Sequence, residues 1–357
     1  MLAQTIEALI THQLNNAMKL LFKTENIDDL FKSLLGFVDA DFRFENIVSD
    51  IITATTDVAD LVGKEVYDIL SEYADTEPDE DFEDSQYMIL RTARLAIAVY
   101  AYRLYAPHND LSHTNDGRKM RAEDNEKSAF QWMIDADDKA LEKKYYRTLE
   151  QLLRLLDDSK PEGYDELTEE AQKETIYYKW TNSEAFNEVK KLFISSVKEF
   201  DNIYPINSRL LMIRFAPGMS ECERREILPR IGKTLFDLMK LAYKGKTEEE
   251  IANKDSLLLL IQEAIASYAL AWAIPRFNVN FFPEGILQFY GSDRQTTSGN
   301  KPSLMMEPEA ARQAYVQTCK RALSDIEQLL KPAPEPTDKN VIPDILSEST
   351  DNHFSAT

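Results

Sequence analysis

The side chains best suited to chemistry lie between His108 and Asp116. His108, Asp110, His113 and Asp116 bring two imidazoles and two carboxylates into one short stretch, and such nitrogen and oxygen donors are what a divalent metal uses. A metal-dependent hydrolase built on His108 and His113 is one reading. Histidines in polar loops are more often solvated than ligating, so no metal is expected. Ile231 to Leu235 spells IGKTL, the end of a phosphate-binding loop. That loop requires a glycine five residues before the Gly-Lys pair, where this chain has Ile227, and Pro229 and Arg230 replace the intervening loop. Helix packing around a small glycine is the better reading. The acidic run Asp75 to Asp84 lacks the glycine and closing glutamate of a calcium loop. There is no G-x-S-x-G elbow and no H-E-x-x-H helix, and neither Cys222 nor Cys319 has a histidine near it in sequence. No catalytic residue and no cofactor is expected, and the chain reads as a non-enzyme.

Charge narrows the partners. Lys and Arg total 41 against 62 Asp and Glu, a formal net charge of -21, which argues against nucleic-acid backbones and anionic membrane surfaces. Ten glycines in 357 residues disfavour glycine-rich nucleotide cradles and turn-rich all-β folds. Two cysteines are too few for a disulfide framework. No window reaches about eighteen apolar residues and no leader pattern opens the chain, so a soluble cytoplasmic protein is expected.

The elements that must position these residues are helical. Ile6, Leu9, Ile10, Leu14, Met18, Leu21 and Phe22 recur at helical spacing, and a shorter helix is expected from Ile27 to Phe37. Ile47 to Tyr73 reads as a helix bent at Thr53–Thr56. Met88 to Tyr105 is apolar on most faces and should be a central helix, followed after Pro107 by a polar loop with a turn at Asp116-Gly117. Further helices are expected at Lys127 to Leu156, Glu184 to Phe200, Glu221 to Tyr243, Ser256 to Ile274 and Glu309 to Leu330.

The chain also repeats itself. AIAVYAYRLYAP (Ala96 to Pro107) matches AIASYALAWAIP (Ala264 to Pro275) at an offset of 168, and Gly117 meets Gly285 at the same offset. LVGKEVYDIL (Leu61 to Leu70) aligns with RIGKTLFDLM (Arg230 to Met239), pairing Gly63 with Gly232 at 169, and Arg147 meets Arg321 at 174. Four blocks in one order indicate a tandem duplication of a domain-sized unit, far longer than a solenoid repeat. The metal candidates have no counterparts, since Arg276, Asn278, Phe281 and Glu284 stand in the second copy.

The predicted fold is therefore all-α. Two related helical domains, residues 1–160 and 161–331 with a linker to about 200, each carry a β-hairpin or extended loop between their last two helices. A Pro-rich tail, residues 332–357, follows. The second hairpin, with Phe277, Phe281, Phe282, Gly285, Phe289 and Tyr290, has more aromatic surface than a two-stranded ribbon buries by itself. It and the Asp116-Gly117 loop are candidate contact elements, and Val341, Ile342, Ile345 and Leu346 form an apolar island in the tail.

The Gly117 loop leading into EKSAFQWMIDADDKALEKKYYRTLEQLLRLL, Glu126 to Leu156, resembles an uncharacterised, largely helical family encoded in prophages of Bacteroidetes, with likeness over most of residues 40–330. In character it is similar to the head-to-tail connector (adaptor) proteins of tailed bacteriophages. That resemblance implies a structural protein forming a homo-oligomeric ring and touching other virion or tail proteins, cytoplasmic during assembly and then part of a virion or phage-like particle. It transfers no functional residue. The alternative is a cytoplasmic helical adaptor that recruits a partner through Val341 to Leu346.

Overall fold

A computed structural model describes residues 19–22, 27–38, 42–76, 80–109, 111–114, 117–120, 130–247, 251–277 and 306–331. The architecture is all-α, in two related units. The first comprises α1 (Ile27–Leu35), α2 (Val48–Val62), α3 (Lys64–Asp75), α4 (Ser85–Asn109), the short strands β1 (Leu111–Thr114) and β2 (Gly117–Met120), and α5 (Gln131–Asp157). Four short helices follow: α6 (Glu169–Lys173), α7 (Ile176–Thr181), α8 (Glu184–Lys190) and α9 (Val197–Asp201). The second unit begins with α10 (Arg209–Cys222), which runs through a π-helical turn (Glu223–Ile227) into α11 (Leu228–Ile231). It continues with α12 (Lys233–Tyr243), α13 (Lys254–Ala273) and α14 (Met306–Leu329).

The duplication is visible atom by atom at the two helix joints. Gly63 (φ 91°, ψ 142°) separates α2 from α3, and Gly232 (φ 78°, ψ 154°) separates α11 from α12. Each glycine N–H closes the preceding helix, Gly63 on Ala59 O at 2.8 Å and Gly232 on Leu228 O at 3.0 Å. Each carbonyl opens the next helix by accepting from Tyr67 N at 3.1 Å or Phe236 N at 3.0 Å. Only glycine reaches this backbone region without strain. Gly63 and Gly232 therefore serve the backbone rather than the helix packing expected from sequence. Ile47 to Tyr73, expected as one helix, is interrupted at Gly63; Thr53 and Thr56 lie inside the continuous helix α2 and donate their hydroxyls one turn back, to Ser49 O and Ile52 O. Glu221 to Tyr243, expected as one helix, is broken at Gly232 for the same reason that α2 ends at Gly63.

Equivalent helices bury equivalent positions. In α4, Ala96, Ile97, Ala98 and Ala101 are fully buried, as are Ala264, Ile265, Ala266 and Ala269 of α13, 168 positions on. Tyr145, Leu149 and Leu152 of α5 are matched by buried Cys319, Leu323 and Ile326 of α14, 174 positions on. In both units the alanine-rich helix is sandwiched: α2 and α5 lie on α4, and α10 and α14 lie on α13. Small alanines let those neighbours approach closely. By length and composition α13 is apolar enough to cross a membrane, but its buried faces are spent on the second core.

Two cores result. Ile51, Val58, Leu70, Ile97 and Leu152 belong to one, and Phe193, Phe215, Ile261 and Ile326 to the other. The stretch expected as a linker is folded and serves both, with Trp180 in the first core and Val189 in the second. It is also not one helix from Glu184 to Phe200. Ser183 and Ser196 accept the amides of Phe186 and Glu199, and each starts a new helix. β1 and β2 pair antiparallel with Leu111 opposite Met120 and Thr114 opposite Gly117. The corresponding segment of the second unit, residues 278–305, lies outside the described residues, so a hairpin in each unit is not part of the described fold.

A methyl group at either joint forces an L-residue into a glycine-only conformation, so Gly63→Ala and Gly232→Ala should each cost about 1–3 kcal/mol. Gly63→Ala should cost more, because its new β-carbon would stand 3.3 Å from Ser183 Cβ while the space around Gly232 is open. Urea unfolding measures both, and a neutral result at either position contradicts the account of the joints.

Candidate functional site

The most elaborate polar construction in the described residues lies where the units meet. The N-terminus of α10 presents backbone amides with no acceptor in their own helix, and the first unit supplies one. Glu150 of α5 accepts Arg209 N on Oε1 at 2.8 Å, and on Oε2 it accepts Ser208 Oγ at 2.9 Å and Leu210 N at 3.1 Å. Ser208 Oγ in turn accepts Leu211 N at 3.1 Å. The carboxylate thus occupies the positive end of the helix dipole. Asn207, which precedes the cap, adopts a left-handed conformation at φ 48°. Asp201 Oδ1 holds that turn by accepting Ile206 N and Asn207 N at 2.7 and 2.9 Å.

Beneath the cap, Arg209 lies buried against Asp157, with Nε 3.1 Å from Oδ2 and side chains 6% and 33% exposed. The distance is that of an ion pair, yet the Nε–H itself finds no acceptor in hydrogen-bond geometry. Trp180 donates its indole N–H to Asp157 Oδ1 at 2.7 Å, and the Arg209 guanidinium lies 5.2 Å from the Phe186 ring centre. Burial pushes the Asp157 carboxyl above its ordinary range, while Arg209 and Trp180 pull it back.

Outside this lock the surface opens into a groove of about 450 Å³ between α5 and the start of α10. Lys143, Arg147 and Arg154 line it from α5 and Arg214 from α10, with Tyr146 and Leu211 among its apolar parts. Arg154 donates to Glu150 Oε1 and to Asn207 O, both at 3.1 Å. The Arg214 guanidinium sits 5.5 Å from the Tyr146 ring centre. The arrangement suits recognition of a carboxylate- or phosphate-bearing ligand.

The residues singled out from sequence are placed elsewhere. His108 is exposed in the last turn of α4 and close enough to Asp50 to lower that carboxyl's pKa, which burial raises by more. His113 and Gly117 lie on β1 and β2, of which only the backbone is described, and Asp110 and Asp116 lie outside the described residues. Among the described residues no three His, Cys, Asp or Glu side chains converge as metal ligands would. Phe277 packs on the second core, 5.9 Å from Trp272 and 6.4 Å from Phe215 between ring centres. Phe281, Phe282, Gly285, Phe289 and Tyr290 lie outside the described residues, as do Val341, Ile342, Ile345 and Leu346. The GKT of IGKTL forms the joint at Gly232 and the first residues of α12.

Two buried clusters in the second unit are structural. Glu223 accepts Phe193 N on Oε1 and pairs with Lys240 through Oε2, both at 2.7 Å, and Lys240 also donates to Lys191 O at 2.7 Å. Burial raises the pKa of Glu223 and lowers that of Lys240, each effect opposed by the partner's charge. These bonds stitch residues 191–193 to the π-helical turn. Cys222 and Cys319 are free, buried thiols that meet in the core, and contact with Cys319 together with burial keeps Cys222 protonated.

The sequence matches the model of a family of unknown function, DUF6712, over residues 58–175 and again over residues 227–340. The chain belongs to that family. It carries two repeats of the DUF6712 domain, and each match begins five residues before a joint glycine, Gly63 or Gly232. No curated protein and no solved structure matches the chain. Within this frame Glu150 and Asp157 belong to the first DUF6712 repeat, whereas Trp180, Ser208, Arg209 and Arg214 lie between the two matches. The lock and groove therefore join a repeat to the segment that leads into the next.

Replacing Glu150 by Ala strands the donors at the start of α10 and should cost about 2 kcal/mol in thermal or urea unfolding. Arg154→Ala removes an exposed partner of the same carboxylate and should cost less than about 1 kcal/mol. Equal losses for the two variants would mean that the carboxylate is not the anchor.

Proposed function

We propose that this protein is a non-enzymatic structural component of a phage or phage-like particle, a head-to-tail connector or tail-associated ring protein that acts through protein–protein contacts. The observation that carries this reading is an apolar group at the start of α5, where Phe130, Trp132 and Met133 are 67%, 59% and 43% exposed. Aromatic and methionine side chains left in water are costly, and they are the types enriched at interface centres. This group follows the β1–β2 pair in the chain, in the region where the Gly117 loop was expected to make contacts. The phage assignment is supported by the likeness of the Gly117 loop and residues 126–156 to a helical family of Bacteroidetes prophages.

The duplication gives the reading a mechanical use. A ring in which every chain carries two related units presents twice as many units as chains, which suits a place where one rotational symmetry meets another. Its partners are further copies of itself and other virion or tail proteins. It is made in the cytoplasm and ends in the particle.

Native mass spectrometry and electron microscopy of the purified chain should show a closed ring of one stoichiometry. Replacing Phe130 and Trp132 together by Ser should weaken assembly by about tenfold or more while leaving helix content unchanged, as expected for side chains at an interface centre. A chain that stays monomeric at every concentration and forms no ring overturns the proposal.

A further inference from the structure

The duplication reaches further upstream than the helix joints. Lys19-Leu20-Leu21-Phe22 of the first unit and Lys191-Leu192-Phe193-Ile194 of the second lie 172 positions apart, and they form equivalent straps. Leu21, Phe22, Phe193 and Ile194 are buried. Arg94 of α4 donates its Nε–H to Leu21 O at 2.8 Å, and Gln262 of α13, 168 positions on, donates its Nε2–H to Phe193 O at 2.8 Å. Lys19 O accepts Tyr67 Oη of α3 at 2.6 Å, and Lys191 O accepts Lys240 Nζ of α12 at 2.7 Å. Straps held by the same carbonyls set one register, in which residues 1–18 lead into the first unit as residues 173–190 lead into the second.

The second lead-in covers the neighbouring unit before it reaches its own. Its helix α7 lies on α3 and α5 of the first unit, with Trp180 inside the first core and Phe186 packed against it. Lys179 pairs with Glu65 at 3.4 Å, and Ser183 Cβ stands 3.3 Å from where a β-carbon on Gly63 would lie. The matching face of the second unit is open among the described residues. Nothing stands within 4 Å of the same point at Gly232. Val66 and Tyr67 are buried, whereas Leu235 and Phe236, 169 positions on, are partly exposed. Leu156 is 0% exposed, but Leu330, 174 positions on, is 37% exposed. Residues 1–18 lie outside the described residues, and their sequence suits that face. Ile6, Leu9, Ile10, Leu14 and Met18 recur at helical spacing, and Leu14 stands seven residues before Leu21 as Phe186 stands seven before Phe193.

We infer that residues 1–18 of a second copy of this chain dock on the second unit over α12 and the end of α14, in the place that α7 takes on the first unit. The contact is head-to-tail, so its repetition makes a ring when the rotation closes. This rests on the reading of the protein as a self-assembling one, and it names a contact that builds the assembly.

Disulfide trapping in the full chain tests it. In this register Thr11 is the counterpart of Ser183 and Thr234 the counterpart of Glu65. Mild oxidation of a chain carrying Thr11→Cys and Thr234→Cys should give a ladder of covalently joined chains on a non-reducing denaturing gel, and either replacement alone should not. Ile10→Glu with Leu14→Glu, and separately Leu330→Glu, should each weaken self-association in native mass spectrometry by about tenfold or more, with the circular dichroism spectrum unchanged. Absence of the ladder, or self-association that none of these replacements alters, overturns this contact and leaves the ring reading standing. A bond between positions 11 and 234 confined to single chains gives the face to the chain's own first residues and also overturns the contact. Assembly that is lost on deleting residues 332–357 but is indifferent to Ile10→Glu with Leu14→Glu gives the face to the tail, with the same consequence. An unmodified chain that is monomeric throughout overturns both readings.

Discussion

The Glu150 carboxylate is the interaction on which the relation of the two units depends. A helix that starts in the middle of a protein leaves its first amides without acceptors, and leaving them buried and unsatisfied is costly. Here α10 starts where the second unit must be joined to the first, and its open amides are answered from α5. Arg209, the first residue of α10, continues the connection inward to Asp157, which Trp180 also bonds. A buried pair of this kind adds little net stability, since desolvation offsets most of the attraction, but breaking it is expensive. Its effect is to favour one orientation of the units. The groove outside the lock exists because that orientation is held.

Duplication explains why the two units share a plan, and the plan has a physical basis. The joint at Gly63 or Gly232 turns the chain between two helices while satisfying the backbone on both sides. The alanine-rich helix that follows supplies a narrow core against which two longer helices lie. The units have diverged where they do different work. The π-helical turn at Glu223–Ile227 has no counterpart in α2, and it carries the carboxylate that ties residues 191–193 to the second core. At the start of α5 the first unit presents Phe130, Trp132 and Met133 to solvent.

Much of this architecture was legible in the sequence. The buried alanines of α4 and α13 fell in register at the offset read from the sequence alone, and glycines 169 positions apart proved to be equivalent joints. Periodicity reports which face of a helix is apolar, but it cannot see a conformation that only glycine adopts. That is why apolar periodicity runs straight through Gly63 and Gly232, where the backbone turns from one helix into the next. Of the short helices between Glu169 and Asp201, α6 and α7 leave no mark in the sequence and α8 and α9 read as one, because each is too brief to show a period. The lock was missed for another reason: Glu150 and Arg209 lie far apart in sequence, and one carboxylate among 62 acidic residues carries no signal. The basic spacing of Lys143, Arg147 and Arg154 on one helix of an acidic chain was the one available pointer to the groove. The histidines near His108 stand out more in the sequence, because imidazole is rare here and carboxylates are common.

Amide hydrogen exchange at single-residue resolution, on the full chain in solution, tests the lock most directly. The Arg209 and Leu210 amides have no acceptor within their own helix. If Glu150 holds them, they should exchange as slowly as Met212 and Phe215 deeper in α10. Exchange of Arg209 and Leu210 at the rate of an unstructured peptide, with the rest of α10 protected, would contradict the account.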